Sequence, residues 1–254
     1  MTEPRIHGLP SWVDLATPDP AVSAAFYGEL FGWTIEAQVT AIGEYYVARA
    51  GRHEVGGMME PATEGAPPVW TTFFTVADVD EAAVRAADLG GRVLQPPFAI
   101  PGDAPVAVIA DPTGAMLALI SSPETPAATW LTKLPGAVCW VELLTCDTSA
   151  AEGFYAAFFG WKSETELTGG HAYTMFRRNG FGFAGMMAMP DEVPAEAPAH
   201  WAVYFAVADC RSTAEAATRL GGSVLHPATE IDIGRFAVLA DPHGATFHIM
   251  EFSG

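Results

Sequence analysis

The stretch Phe26–Trp33 reads "FYGELFGW", and Phe154–Trp161 reads "FYAAFFGW". Five of the eight positions are identical. Phe26, Tyr27, Leu30 and Phe31 fall on one helical face, so the block predicts a helix with an aromatic stripe. Gly32 can take a positive φ and end that helix, and Trp33 opens the next strand. Upstream, Asp19 suits an N-cap, because its carboxylate can accept from the free amides of the first turn. Pro20 suits the first helical position, where its missing N–H costs nothing. Before the cap, "WVDLA" alternates like a half-buried strand.

The duplication extends outward from this block. "WVDLATPD" (Trp12–Asp19) matches "WVELLTCD" (Trp140–Asp147), and "GGMM" (Gly56–Met59) matches "AGMM" (Ala184–Met187). "DLGGRVLQP" (Asp88–Pro96) matches "RLGGSVLHP" (Arg219–Pro227), and "ADPTGA" (Ala110–Ala115) matches "ADPHGA" (Ala240–Ala245). Repeats of this length read as domains rather than as a solenoid. The expected division is 8–121 and 137–254, with a Pro-punctuated linker over 122–136.

Each half holds a second rhythm of strand, acidic cap, helix, glycine stop and further strands. Its other copies run from Asp78 (with Glu81 at capping-box spacing) to Gly90, from Asp147 to Gly160 and from Asp209 to Gly221. "DPTG" and "DPHG" read as tight turns of a late hairpin. The predicted class is α+β: four βαβββ modules in two tandem domains. Each domain would be a curved antiparallel sheet enclosing a cavity, with helices outside, a form suited to a small-molecule site.

Composition narrows the partners. Of 254 residues, 12 are Lys or Arg and 30 are Asp or Glu, a formal charge of −18. A nucleic-acid binder needs a basic footprint, and an anionic membrane would repel this chain. Small molecules and other proteins remain. The first ten residues show neither a basic n-region nor an apolar h-region, so no signal peptide is expected. Cys139, Cys146 and Cys210 are odd in number and form no C-x-x-C, which points to reduced thiols in a cytoplasmic protein.

An Asp-capped "FY" helix after the first strand, followed by a late "DPxG" strand in a βαβββ module, resembles the vicinal oxygen chelate superfamily. That superfamily includes glyoxalase I, extradiol dioxygenases and the fosfomycin- and bleomycin-resistance proteins. The tandem arrangement with "WVDL" and "HWAVYFAVAD" is similar to actinobacterial two-domain members labelled hydroxylases. In metal-using members, the resemblance implies ligands at Trp12, Trp140, Thr71, Ala202, Ala118 and His248, with His200 two residues before Ala202. An indole cannot ligate a divalent ion, and one imidazole among these positions cannot replace three or four ligands. No metal and no cofactor are therefore expected.

Trp12 and Asp14, and likewise Trp140 and Glu142, share one face of a first strand by period two. A structural role would have Trp fill the core while the acid pairs with a donor. A functional role would be an aromatic wall with one carboxylate, and the resemblance implies that this face lines the cavity. The candidate catalytic residues are Glu142, Asp14, His248 and Tyr204, and the candidate substrate-binding residues are Trp12, Trp140, Thr71, Phe73, Met116 and Ala202. By sequence position, Glu142, Tyr204 and His248 fall in the second half with Trp140, and Asp14, Thr71, Phe73 and Met116 in the first with Trp12; pairing of the modules within a half, across the halves or between chains stays open. His7, His53, His171, His226 and His243 fall in loops, turns or strand ends and form no ligand cluster. The leading expectation is a metal-independent acid/base step, such as isomerisation or hydration, on an aromatic or polyketide-like metabolite. The alternatives are sequestration of such a molecule and a metal-dependent glyoxalase- or dioxygenase-like activity. The assembly would be a monomer or a homodimer.

Overall fold

The computed structural model describes residues 8–40, 43–99, 104–121, 133–191, 193, 194 and 197–253. The first module is β1 (Pro10–Ala16), α1 (Pro20–Phe31), β2 (Thr34–Thr40), β3 (Gly43–Ala50) and β4 (His53–Met59). The second is β5 (Val69–Val76), α2 (Val79–Asp88), β6 (Arg92–Phe98), β7 (Val106–Ala110) and β8 (Met116–Ser121). The third is β9 (Val138–Thr145), α3 (Thr148–Phe159), β10 (Lys162–Thr168), β11 (His171–Arg178) and β12 (Phe181–Ala188). The fourth is β13 (His200–Ala206), α4 (Cys210–Arg219), β14 (Ser223–Ile231), β15 (Gly234–Ala240) and β16 (Thr246–Phe252). Residues 122–132 of the expected linker lie outside the described residues. Among the described residues, no helix is long and apolar enough to cross a membrane.

The helix ends follow their local chemistry. Asp19 accepts from the Val22 amide, Asp78 from Asp80 and Glu81, Asp147 from Ala150 and Asp209 from Ser212. Gly32 and Gly160 close α1 and α3 at φ 69° and 73°, in the left-handed region that favours glycine. Within every module the later strands form an antiparallel meander. The last strand then lies parallel to the first, with Asp14 beside Gly57, Phe73 beside Ala118, Glu142 beside Gly185 and Tyr204 beside His248. The sheet expected as antiparallel thus carries one parallel pair per module.

The chain forms two compact units, and these do not follow the two repeats. The Asp14 unit combines Trp12–Thr71 with Ala202–Gly254, that is, most of the first module and most of the fourth. The Glu142 unit combines Thr72–Ala128 with Trp140–Trp201, most of the second and third modules. The aromatic block that marks the repeat makes these cross-repeat cores. In the Asp14 unit, Tyr27 stacks on Trp33 at 5.7 Å and meets Trp70 and Phe247 edge-on at 5.4 and 5.2 Å. Its buried hydroxyl donates to Asp241 Oδ2 at 3.4 Å, 214 residues away in the chain. In the Glu142 unit, Tyr155 stacks on Trp161 at 4.9 Å, meets Trp201 edge-on at 5.4 Å and donates to Asp111 Oδ2 at 3.0 Å.

Each turn aspartate therefore serves two structures. Asp111 Oδ1 accepts from the Thr113 and Ala115 amides, and Asp241 Oδ1 from those of His243 and Ala245. Oδ2 remains for the tyrosine of the other repeat. Trp33 and Trp161 add matching ties, with their indole N–H groups donating to Gly136 O at 2.7 Å and Gly8 O at 2.6 Å. Buried aromatics meeting edge-on gain beyond their area, so these clusters favour pairing across the repeats.

Candidate functional site

Val13 and Leu15 of β1 are fully buried, whereas Trp12 and Asp14 are half-buried on the opposite face. The same alternation buries Val141 and Leu143 on one face of β9 and puts Trp140 and Glu142 on the other. On that face Trp12 Nε1–H donates to Asp14 Oδ1 at 2.8 Å and to Tyr45 Oη at 2.9 Å. Tyr45 Oη–H also donates to Asp14 Oδ1, at 2.6 Å. Two side chains, Trp12 of β1 and Tyr45 of β3, thus converge on one carboxylate oxygen of Asp14. They do so across β4, where the intervening residue is Gly57, in register with Asp14. A Cβ on Gly57 would collide with the Tyr45 hydroxyl and with Asp14 Oδ1.

The Glu142 unit repeats the arrangement. Trp140 Nε1–H donates to Tyr173 Oη at 3.0 Å, and Tyr173 hydrogen-bonds Glu142. Burial first, and then the charge and hydrogen bond of Glu142, push the Tyr173 phenol far above its ordinary range, so it stays protonated as a donor. Gly185 clears the way as Gly57 does. Sequence reasoning found the Trp–acid pairs but missed Tyr45 and Tyr173. The available signal was their spacing: each tyrosine lies 33 residues after its tryptophan.

The two units differ in what stands with each triad. The Asp14 unit contains Thr71, Ala202, Tyr204 and His248. Tyr204 and His248 are buried neighbours on β13 and β16, with ring centroids 4.4 Å apart. The Glu142 unit contains Phe73, Met116 and Ala118 instead, with Phe73 beside Ala118. Of the pairings the sequence leaves open, the structure takes the one across the repeats, with Thr71 staying in the Asp14 unit. His248 and Tyr204 share a unit with Asp14 and Trp12, while Glu142 and Trp140 share one with Phe73 and Met116. The physical reason is the tyrosine–aspartate and aromatic packing that pairs the first module with the fourth.

At the positions where metal-using relatives would carry ligands, the residues do not fit a resident divalent ion. The Trp12 and Trp140 nitrogens carry protons that are donated to neighbours, and Thr71, Ala118 and Ala202 offer no carboxylate or imidazole. Among the described residues, no three His, Cys, Asp or Glu side chains gather as a metal-holding group. Cys139 and Cys210 are buried and Cys146 is exposed. Burial pushes the Cys139 thiol up to about 12, which makes it unreactive as a nucleophile.

The family model described as Glyoxalase/Bleomycin resistance protein/Dioxygenase superfamily matches residues 10–119, and the Glyoxalase-like domain model matches residues 140–250. The protein named "Putative glyoxylase CFP32" of Mycobacterium tuberculosis is 38% identical over 251 residues, covering 96% of this chain and 95% of that protein. "Anthracycline biosynthesis protein DauV" of Streptomyces sp. is 36% identical over 259 residues, covering 96% and 93%. Among solved structures, the Mn(II)-bound glyoxalase from Novosphingobium aromaticivorans superposes with a TM-score of 0.64 at 16% identity, covering 96% of this chain and 82% of that one. At that identity the likeness concerns the fold.

Proposed function

The chain belongs to the glyoxalase/bleomycin resistance protein/dioxygenase superfamily, and from that premise we propose that it binds a small, flat aromatic metabolite against the Asp14 face and carries out an acid/base step there. The observation that carries this reading is the company of Asp14. One compact unit gathers a hydrogen-bonded carboxylate, two phenols, an indole and a buried imidazole. Trp12 and the tyrosine rings give a ligand flat apolar surface. Asp14 and His248 supply a carboxylate and an imidazole, the side-chain types that serve in acid/base steps, and Tyr45 holds the carboxylate in place by its hydrogen bond. No step requires a metal ion. The name of the Streptomyces relative supports a polycyclic aromatic class, and hence a place in secondary metabolism.

The test is a panel of hydroxylated polycyclic aromatics incubated with protein and followed by mass spectrometry. Wild type is expected to convert at least one member, while Asp14→Asn and His248→Asn lose about 100-fold or more in rate, the scale of general acid–base catalysis. Glu142→Gln should retain turnover. Equal rates in all variants would contradict the proposal, and binding without any product would favour sequestration instead.

A further inference from the structure

His226 is placed by the fold in a row that its sequence position does not disclose. Four successive strands of the Asp14 unit carry Tyr204, His248, Val238 and His226 in direct register, on β13, β16, β15 and β14. Residues opposite one another in register share a face, so His226 stands on the face of His248 and Tyr204. The equivalent row of the Glu142 unit is Phe73, Ala118, Val108 and Gln95. Only the Asp14 unit has aromatic and titratable groups at three of the four positions.

The His226 ring is held in a defined pose. It stacks on Phe236 with centroids 5.2 Å apart and planes 10° from parallel. Its Nε2 lies 3.0 Å from Thr229 Oγ1, and that hydroxyl donates its one hydrogen to Pro227 O at 2.9 Å. Thr229 must then accept from His226, which fixes the proton on Nε2 and leaves the Nδ1 lone pair as an acceptor in the neutral ring. Three strand spacings separate Tyr204 from His226, a distance of about 14 Å. A flat molecule of several fused six-membered rings, with its substituents, can lie along such a row, whereas a two-ring molecule falls short of its far end.

Resting on the reading of the Asp14 face as the ligand site, we propose that His226 is its specificity-determining residue for length. Its Nδ1 accepts a hydrogen bond from a hydroxyl at the far end of a flat ligand whose near end lies beside Tyr204 and His248.

Binding of alizarin (three rings, hydroxylated at one end) and β-naphthol (two rings) can be followed by quenching of tryptophan fluorescence. His226→Phe keeps a ring on Phe236 and removes the acceptor, and His226→Asn returns an acceptor in its place. His226→Phe should weaken alizarin about tenfold and β-naphthol less than about twofold, as expected for one neutral hydrogen bond. His226→Asn should recover most of the loss. Alizarin bound by His226→Phe as by wild type, or both probes weakened alike, would overturn the proposal. Trp12→Ala separates the two readings. If it weakens neither probe, the ligand face itself is misassigned and this inference falls with it. If it weakens both, the His226 comparison judges the length reading alone.

Discussion

At Gly57 and Gly185 a single methyl group is enough to break the Trp–acid–Tyr arrangement. Gly57→Ala should destabilise by about 1–3 kcal/mol, because the new Cβ must displace the Tyr45 hydroxyl or Asp14. Thermal denaturation would show this, and adding Tyr45→Ala should recover part of the loss. Asp241 gives a pH signature. Burial raises its carboxyl above the ordinary Asp range, so the folded state holds the proton more tightly than the unfolded chain. Its contribution is therefore fully present at pH below the unfolded pKa and is lost as pH rises through the elevated folded value. Relative to Asp241→Asn, wild type should lose stability over that rise in denaturant titrations at stepped pH. A constant difference across the window would refute the linkage. At this scale the sequence was legible where the partners are near in the chain. Trp12 and Asp14 are two residues apart, and period two was enough to pair them. Tyr45 and His226 were hidden, because their neighbours depend on strand register across β4 and across two shifts in β14.

The helices were the most legible elements, since their start and stop signals are local. Asp147→Ala removes the acceptor for the Ala150 amide and should cost about 1 kcal/mol, measurable as a lowered chemical-denaturation midpoint with unchanged slope. The order of antiparallel strands was also legible from alternation and from the "DPxG" turns. The parallel return of the last strand to the first was not, because no turn encodes it and only the packed face selects it.

For the whole molecule, duplication disclosed four modules but not which two pack together. Both repeats have the same tyrosine on α1 or α3 and the same turn aspartate, so pairing within a repeat and across repeats satisfy the sequence equally. The structure joins Tyr27 to Asp241 and Tyr155 to Asp111. Fragments 8–121 and 137–254 should therefore each lack a stable monomeric fold and should combine when mixed, as read by circular dichroism and analytical ultracentrifugation. Two stable, independent monomers would oppose this. Asp14 and His248 belong to different repeats but share one compact unit, and the proposed function has both act on one ligand. A double-mutant cycle on alizarin binding tests that most directly. Asp14→Asn with His248→Asn should show a coupling of about 0.5–3 kcal/mol, while Glu142→Gln with His248→Asn should be additive within about 0.5 kcal/mol. Additivity in the first cycle with coupling in the second would contradict the cross-repeat site.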